Sequence, residues 1–394
     1  MNAPSSSSTL AWRSVALPTG TLELRLERGA SEADALLGFA ARANAKRGFL
    51  FLSKVLGKHW PVRSSAMLAI HERLAATVPQ VDGPVLFIAM AETAVGLGQG
   101  VFEAWLRAHP GHPALFLHTT RYRVGSSPLI EFEEAHSHAP RQFLHEPQDP
   151  ALRDLLLAAR TLVLVDDEAS TGNTFVNLAA ACRRLNPGIR QVHLATITNF
   201  MGAQASSGLD ARFGMPVSLG ALVEGEFRFS AGTCAPDGGV AQRFDPAAEN
   251  GASGAFGRLG LARAMRAPET LADDLAAGVR PGERVLVLGT GEFMHASTLL
   301  GAALERRGVE VWVQSTTRSP ILSWGAVGHA LRFADNYGEG IANFLYNVRP
   351  GQYDQVFICH ETAVNPALRE LAELLGARLF HFHSEDRVEE IPVR

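Results

Sequence analysis

Cysteine is scarce: the 394-residue chain holds three, Cys182, Cys234 and Cys359. So small, scattered and odd-numbered a set excludes a disulfide framework and a cysteine-rich zinc site, and it suits a reducing cytoplasm. Long apolar runs are also missing, so no segment is built to cross a bilayer. The start, Met1-Asn2-Ala3-Pro4 followed by four serines, has neither the basic nor the apolar part of a secretory signal. A surplus of positive charge is absent too. With 36 Lys+Arg against 40 Asp+Glu, the formal net charge of −4 gives no field for gripping nucleic acid. What is present, 46% apolar and 19% charged residues, is a globular composition long enough for two domains.

The chemistry concentrates in residues 162–174, LVLVDDEASTGNT. Four aliphatic residues read as a buried strand of a parallel sheet, too short for a helix and too apolar for an exposed strand. Asp166 and Asp167 stand at its carboxyl end, followed by the hydroxyl-rich turn Ser170-Thr171-Gly172-Asn173-Thr174 and a helical stretch. A strand, a tight polar turn and a helix amino terminus form a phosphate cradle, because free amides and the positive helix end face the turn. Two carboxylates beside an anion site repel it unless they hold something else, such as sugar hydroxyls or a metal. An ordinary capped strand-to-helix turn accounts for the capping residues but not for the adjacent acidic pair. A P-loop is excluded because no lysine follows the glycine.

These residues resemble the signature of the type I phosphoribosyltransferases: an apolar strand, an acidic pair and a Thr-Gly-x-Thr-like loop. The resemblance implies that Asp166 and Asp167 hold the ribose hydroxyls of phosphoribosyl pyrophosphate (PRPP), with Mg²⁺ as the cofactor accompanying it. It implies that Ser170, Thr171, Gly172, Asn173 and Thr174 hold the 5′-phosphate, and that Ala91, Glu92 and Thr93, after the apolar run 85–88, hold the pyrophosphate. Lys54 and Lys58 concentrate cations in a hydrophobic setting that suits a polyphosphate, or else snorkel from a half-buried segment. After the run Thr119-Thr120-Arg121-Tyr122-Arg123, the stretch to about Gln148 reads as a polar loop of low periodicity, a lid by its length. The family carries a mobile loop there. Arg121 and Arg123 are its candidates for neutralising the departing pyrophosphate, and His138 is a candidate proton shuttle beside His136. Ser31 and Asp34 open an expected helix running to about Lys46, and residues 222–229 an expected hairpin strand hooding the site.

The second half echoes the first. VLVLGTGE at 285–292 matches VLFIAMAE at 85–92, Thr316-Thr317-Arg318 matches Thr119-Thr120-Arg121, and VFICHE at 356–361 aligns with VLVDDE at 163–168. The pattern is that of an internal duplication in which Cys359 and His360 have replaced the acidic pair. A separate second-domain site is expected from Glu292, Thr317, Arg318, Ser319, Asp335, Asn336 and His360, all at strand ends or loops. The Thr317-Arg318-Ser319-Pro320 string resembles the TRSP domain, which accompanies an orotate-phosphoribosyltransferase-like domain in proteins of bacterial tellurium-resistance and stress gene clusters.

The expected fold class is thus α/β, a type I phosphoribosyltransferase-like parallel sheet followed by a degenerate α/β domain. The expected divisions are a tail and first strand at 1–30, the transferase domain at 31–230, a linker or hood at 231–265 and the TRSP domain at 266–394. The expected activity is PRPP-dependent phosphoribosyl transfer to a base-like or small nitrogenous acceptor, making a nucleoside-like metabolite in the cytoplasm. A PRPP sensor or scaffold without turnover, and a bifunctional enzyme with a second reaction in the C-terminal domain, stand as alternatives. No nucleic-acid or membrane partner is expected; the type I family is frequently dimeric.

Overall fold

The computed structural model describes residues 11–42, 47–125, 128–133, 141–232 and 251–393. The chain opens with an antiparallel pair, β1 (Arg13–Leu17) and β2 (Gly20–Arg28), then a hairpin of β3 (Leu37–Ala41) and β4 (Phe49–Ser53). β5 (Val85–Ala89) and β6 (Ala114–His118) precede a second hairpin, β7 (Pro128–Glu133) and β8 (Arg141–His145). β9 (Thr161–Ala169), β10 (Gln191–Asn199) and β11 (Val217–Ala231) complete the first half. The seven-stranded sheet has the order β1-β2-β11-β10-β9-β5-β6 and is parallel from β11 through β6. β5 is buried along its length, as is the LVLV run of β9, the pattern of strands covered by helices on both faces.

The second half contains β12 (Arg284–Gly289), β13 (Glu310–Ser315), a hairpin of β14 (Ala330–Phe333) and β15 (Asn343–Tyr346), then β16 (Gln355–His360), β17 (Arg378–Phe382) and β18 (Val388–Ile391). Its five-stranded sheet has the order β13-β12-β16-β17-β18. The parallel run β13-β12-β16-β17 repeats β6-β5-β9-β10 strand for strand, with β16 one residue out of step with the sequence echo: Val285 lies beside Gln355 as Val85 lies beside Thr161, so His360 falls at the place of Asp166 and Glu361 at that of Asp167.

Each half also covers the other's open edge. Val62, from the first half, exchanges backbone hydrogen bonds with Val313 of β13 at 3.0 and 2.7 Å. Leu261, which leads into the second half, does the same with Phe116 of β6 at 2.9 and 2.8 Å. An unpaired edge is a liability, and here each is met by a single antiparallel bridge from the opposite half.

Three local expectations are corrected. The helix expected from Ser31 to about Lys46 is one turn, Ala33–Leu36, followed by β3. The alanine-rich sequence favours a helix locally, but pairing with the fully buried β4 overrides that propensity. The stretch read as an unstructured lid contains the β7–β8 hairpin, tied to Thr120 by reciprocal backbone bonds with Phe143. Residues 222–229 lie within β11, between β10 and β2, and so belong to the main sheet rather than a hood.

The helix Val95–Ala108 packs against the helix Ser64–Ala75 at Gly100, where an added Cβ would lie 2.0 Å from Nδ1 of the buried His71. Gly100→Ala is expected to destabilise the protein by about 2 kcal/mol through overpacking, read as a lowered midpoint in urea denaturation.

Candidate functional site

At the carboxyl ends of β5 and β9 lies an open cleft. Parallel strands bring this end about: β5 delivers Ala91, Glu92 and Thr93, while β9 delivers Asp166, Asp167 and Glu168. The turn after β9 contributes Ser170, Thr171, Gly172 and Thr174 beside the amino terminus of the helix Asn173–Leu185. Gly172 has φ 73°, a left-handed conformation that favours glycine, and an added Cβ would meet Met201 Sδ at 2.8 Å. Arg212 braces the turn from outside, donating to the Thr171 carbonyl at 2.8 Å and to Asn173 Oδ1 at 3.0 Å. The first amides of the helix have no partner within it, so they and the helix dipole favour an anion in the turn.

The acidic pair is uneven. Asp166 Oδ1 accepts the Asp167 amide at 2.9 Å. Burial raises the Asp167 carboxyl, with Glu168 adding to the effect, and its pKa stands at about 6 despite Asp166 and Arg42 acting in the opposite direction. Glu168 is held by an ion pair with Arg47. Glu92 is fixed as a carboxylate: burial alone would raise it, but Lys58 at 2.8 Å and Arg318 hold it down at about 2. His59 is buried and neutral, its pKa lowered to about 3 by burial and by Arg42 and Lys58.

The expected binding residues separate. Asp166, Asp167, Ser170, Thr171, Gly172, Thr174, Ala91, Glu92, Thr93 and Arg121 all line the cleft. Asn173 does not, because its side chain turns to Arg212. Lys58 is fully buried behind the cleft, donating to Glu92 and to the Gly291 carbonyl at 2.6 Å, and Lys54 points outward to the Asp34 carbonyl. Arg123 lies over the Phe143 ring, 4.7 Å from its centroid, and pairs with Glu131. His138 and His136 lie outside the described residues.

The set expected as a second-domain site is divided. Thr317, Arg318 and Ser319 line the first-half cleft. Asp335 and Asn336 organise a turn, Asp335 accepting the Tyr337 amide at 2.9 Å and Asn336 donating to Thr362 at 3.1 Å. His360, which the strand register places where Asp166 stands in the first half, is kept neutral by burial and bonds the Thr362 carbonyl at 2.8 Å. Glu292, counterpart of Glu92, is occupied by Arg258, which also forks onto Glu361 at 2.7 and 2.8 Å. By strand register Glu361 is the counterpart of Asp167, so in the second half the space between the two carboxylates is filled by one buried guanidinium.

Sequence reasoning missed Arg42, Arg47, Leu50, Gln142 and Phe175 in the cleft. Arg42 follows β3 and Arg47 precedes β4, where a helix was expected, and the pairing of those two strands was the missing signal. Gln142 belongs to the unforeseen second hairpin.

Residues 36–226 match a family described as phosphoribosyl transferase, and residues 255–377 match the TRSP domain, described as C-terminal to that family. Among solved structures, an adenine phosphoribosyltransferase from Thermoanaerobacter pseudethanolicus is similar at 16% identity over 49% of this chain and 98% of its own, with a TM-score of 0.32. An orotate phosphoribosyltransferase from Mycobacterium tuberculosis, in complex with inorganic phosphate, is similar at 13% identity over 49% and 85%, with a TM-score of 0.28. No curated protein matches.

Proposed function

With residues 36–226 in the phosphoribosyl transferase family and residues 255–377 in its TRSP companion, we propose that the chain transfers the 5-phosphoribosyl group of PRPP to a small nitrogenous acceptor, forming a nucleoside-like metabolite. One observation carries the reading: an acidic pair, a helix-terminal hydroxyl turn and the loop after β5 converge on a single cleft. Asp166 and Asp167 accept the ribose hydroxyls, residues 170–172 and Thr174 hold the 5′-phosphate, and residues 91–93 face the pyrophosphate.

In the reaction the acceptor nitrogen bonds to the anomeric carbon as the bond from that carbon to the pyrophosphate oxygen breaks. The electron pair leaves with pyrophosphate and the acceptor releases a proton. The anomeric carbon is cationic in the transition state, so the protein's task is to align the groups, stabilise the leaving group and exclude water. No protein nucleophile is needed. Arg121, which lines the cleft, stabilises in this reading the negative charge that develops on pyrophosphate.

The donors fit a magnesium ion brought in on PRPP's own oxygens. Among the described residues no three His, Cys, Asp or Glu side chains converge to hold a metal unaided, while Asp166 and Asp167 offer carboxylate oxygens at the ribose. Bound there, magnesium supplies charge neutralisation at the pyrophosphate. We place the division between transferase and TRSP portions within residues 231–265.

The test is pyrophosphate release from PRPP and Mg²⁺ across a panel of nitrogen bases, amines and small acids. Release dependent on one acceptor is the expected result. PRPP binding with no release from any member of the panel favours the sensor or scaffold reading instead. The filling of the second-half counterpart by Arg258 argues against a second reaction there.

A further inference from the structure

We propose that Arg318, carried by the C-terminal half, is an anion-binding residue of the first-half cleft, so that the site is complete only when the two halves are docked. This rests on the PRPP reading of that cleft.

The two halves meet through a reciprocal exchange. Glu292 reaches from the second half and accepts the Arg121 amide at 2.7 Å, with Thr120 Oγ1 donating to the same carboxylate. Glu92 reaches the opposite way and accepts the Arg318 amide at 3.4 Å. The supporting bonds repeat as well: the Ala91 amide donates to Thr119 Oγ1 at 2.8 Å and the Gly291 amide to Thr316 Oγ1 at 2.9 Å. Thr120 pairs with Phe143 and Thr317 with Phe344 in equivalent bridges. Each half therefore presents its Thr-Arg loop to the acidic loop of the other.

The exchange ends differently on its two sides. Around Glu292, the buried Arg258 closes the space. Around Glu92, the cation contributed from the acidic loop's own half is Lys58, which bonds Glu92 and the Gly291 carbonyl, and the cleft stays open. Arg318 lines it while only 7% exposed. Three contacts aim the guanidinium: Nε toward Glu92 at 3.4 Å, Nη1 toward Glu339, and its carbon 5.2 Å from the centroid of the Tyr122 ring, which itself stacks on Tyr337 at 4.1 Å. The remaining nitrogen, Nη2, is buried with no hydrogen-bond partner among the described residues. A buried, charged donor left unsatisfied is costly. A fork held on one side by carboxylates and unfilled on the other suits an anionic oxygen, supplied either by pyrophosphate or by a carboxylate on the acceptor.

Calorimetry on the full chain separates these, with inorganic pyrophosphate, orotate and ribose 5-phosphate as three independent probes. Arg318→Lys keeps a cation against Glu92 and Glu339, which preserves the interface, but lacks the unpartnered nitrogen Nη2. The expected result is binding at least about tenfold weaker for pyrophosphate or for orotate, with ribose 5-phosphate within about twofold of wild type. The probe that loses affinity identifies the source of the anion. Equal losses for all three probes would mark a structural residue and overturn the proposal, as would no loss for any, or a wild type that binds ribose 5-phosphate but neither anion. Arg318→Gln is expected to reproduce the selective loss; should it not fold, Arg318→Lys decides alone. A wild type that binds none of the probes nor PRPP defeats the PRPP reading itself, a different outcome.

Discussion

Asp166→Asn combined with Asp167→Asn is expected to weaken PRPP binding at least about a hundredfold in calorimetry, because each carboxylate's hydrogen bonds to hydroxyls contribute on the order of 1.5–3 kcal/mol. Unchanged affinity would remove the assignment. The pair should also reveal itself through pH. Burial, helped by Glu168, raises the folded pKa of Asp167 from 3.8 to about 6. A carboxyl raised in this way favours the folded state below its unfolded pKa, and that contribution is lost as pH rises through the folded value. At pH 7.5 the ionised side chain therefore opposes folding. Asp167→Asn alone should raise stability there by on the order of 1–2 kcal/mol, the half-buried carboxyl being reached by water. The advantage should fade as pH falls through about 6 toward 4. PRPP affinity of the wild type should fall over the same interval as the carboxylate is protonated. Denaturant titrations at pH 4 and 7.5 check the first statement and calorimetry at the same values the second.

Arg258→Met is expected to cost about 3–5 kcal/mol, the usual penalty for stranding buried charge. Arg258 is fully buried between Glu292 and Glu361, with Ser253 and Tyr337 completing the polar shell. Burial alone would raise Glu292, and Arg258 together with His118 holds it below its ordinary value. Without the guanidinium the buried Glu292 should have a raised pKa, so the deficit should be largest at neutral pH and shrink as the solution is acidified. Adding Glu292→Gln and Glu361→Gln should recover most of the loss, since the charges are then removed together. Guanidinium-chloride midpoints at two pH values measure both effects. A small deficit independent of pH would show that the cluster is well solvated.

The part of the molecule readable from sequence is the part specified by short-range pattern. β5, β9, β12 and β16 are apolar runs followed by polar turns, and the repeat between them predicts the shared sheet order. The same locality made residues 162–174 readable as a strand, an acidic pair and a helix start. Where long-range pairing decides, the reading failed. LGFAA at 37–41 has nothing strand-like until β4 is beside it, and with that hairpin went Arg42 and Arg47. Nor does any spacing announce that Arg318 joins Glu92, because the contact depends on how two separate sheets dock. The lysines illustrate a further limit: Lys58 looked like a phosphate ligand, but its charge is already neutralised inside the protein by Glu92.

Arg258 also bears on how such a chain is able to diverge. In a symmetric pair of identical subunits, any residue that fills one pocket fills both, so a mutation that strengthens the joint removes the chemistry. Here the two copies are covalently joined and written by separate stretches of sequence. One acidic loop keeps Lys58 and an open cleft, and the other takes Arg258 and becomes solid. Joining the halves in one chain lets them differ, with one keeping an open cleft and the other closing the corresponding space around a buried guanidinium.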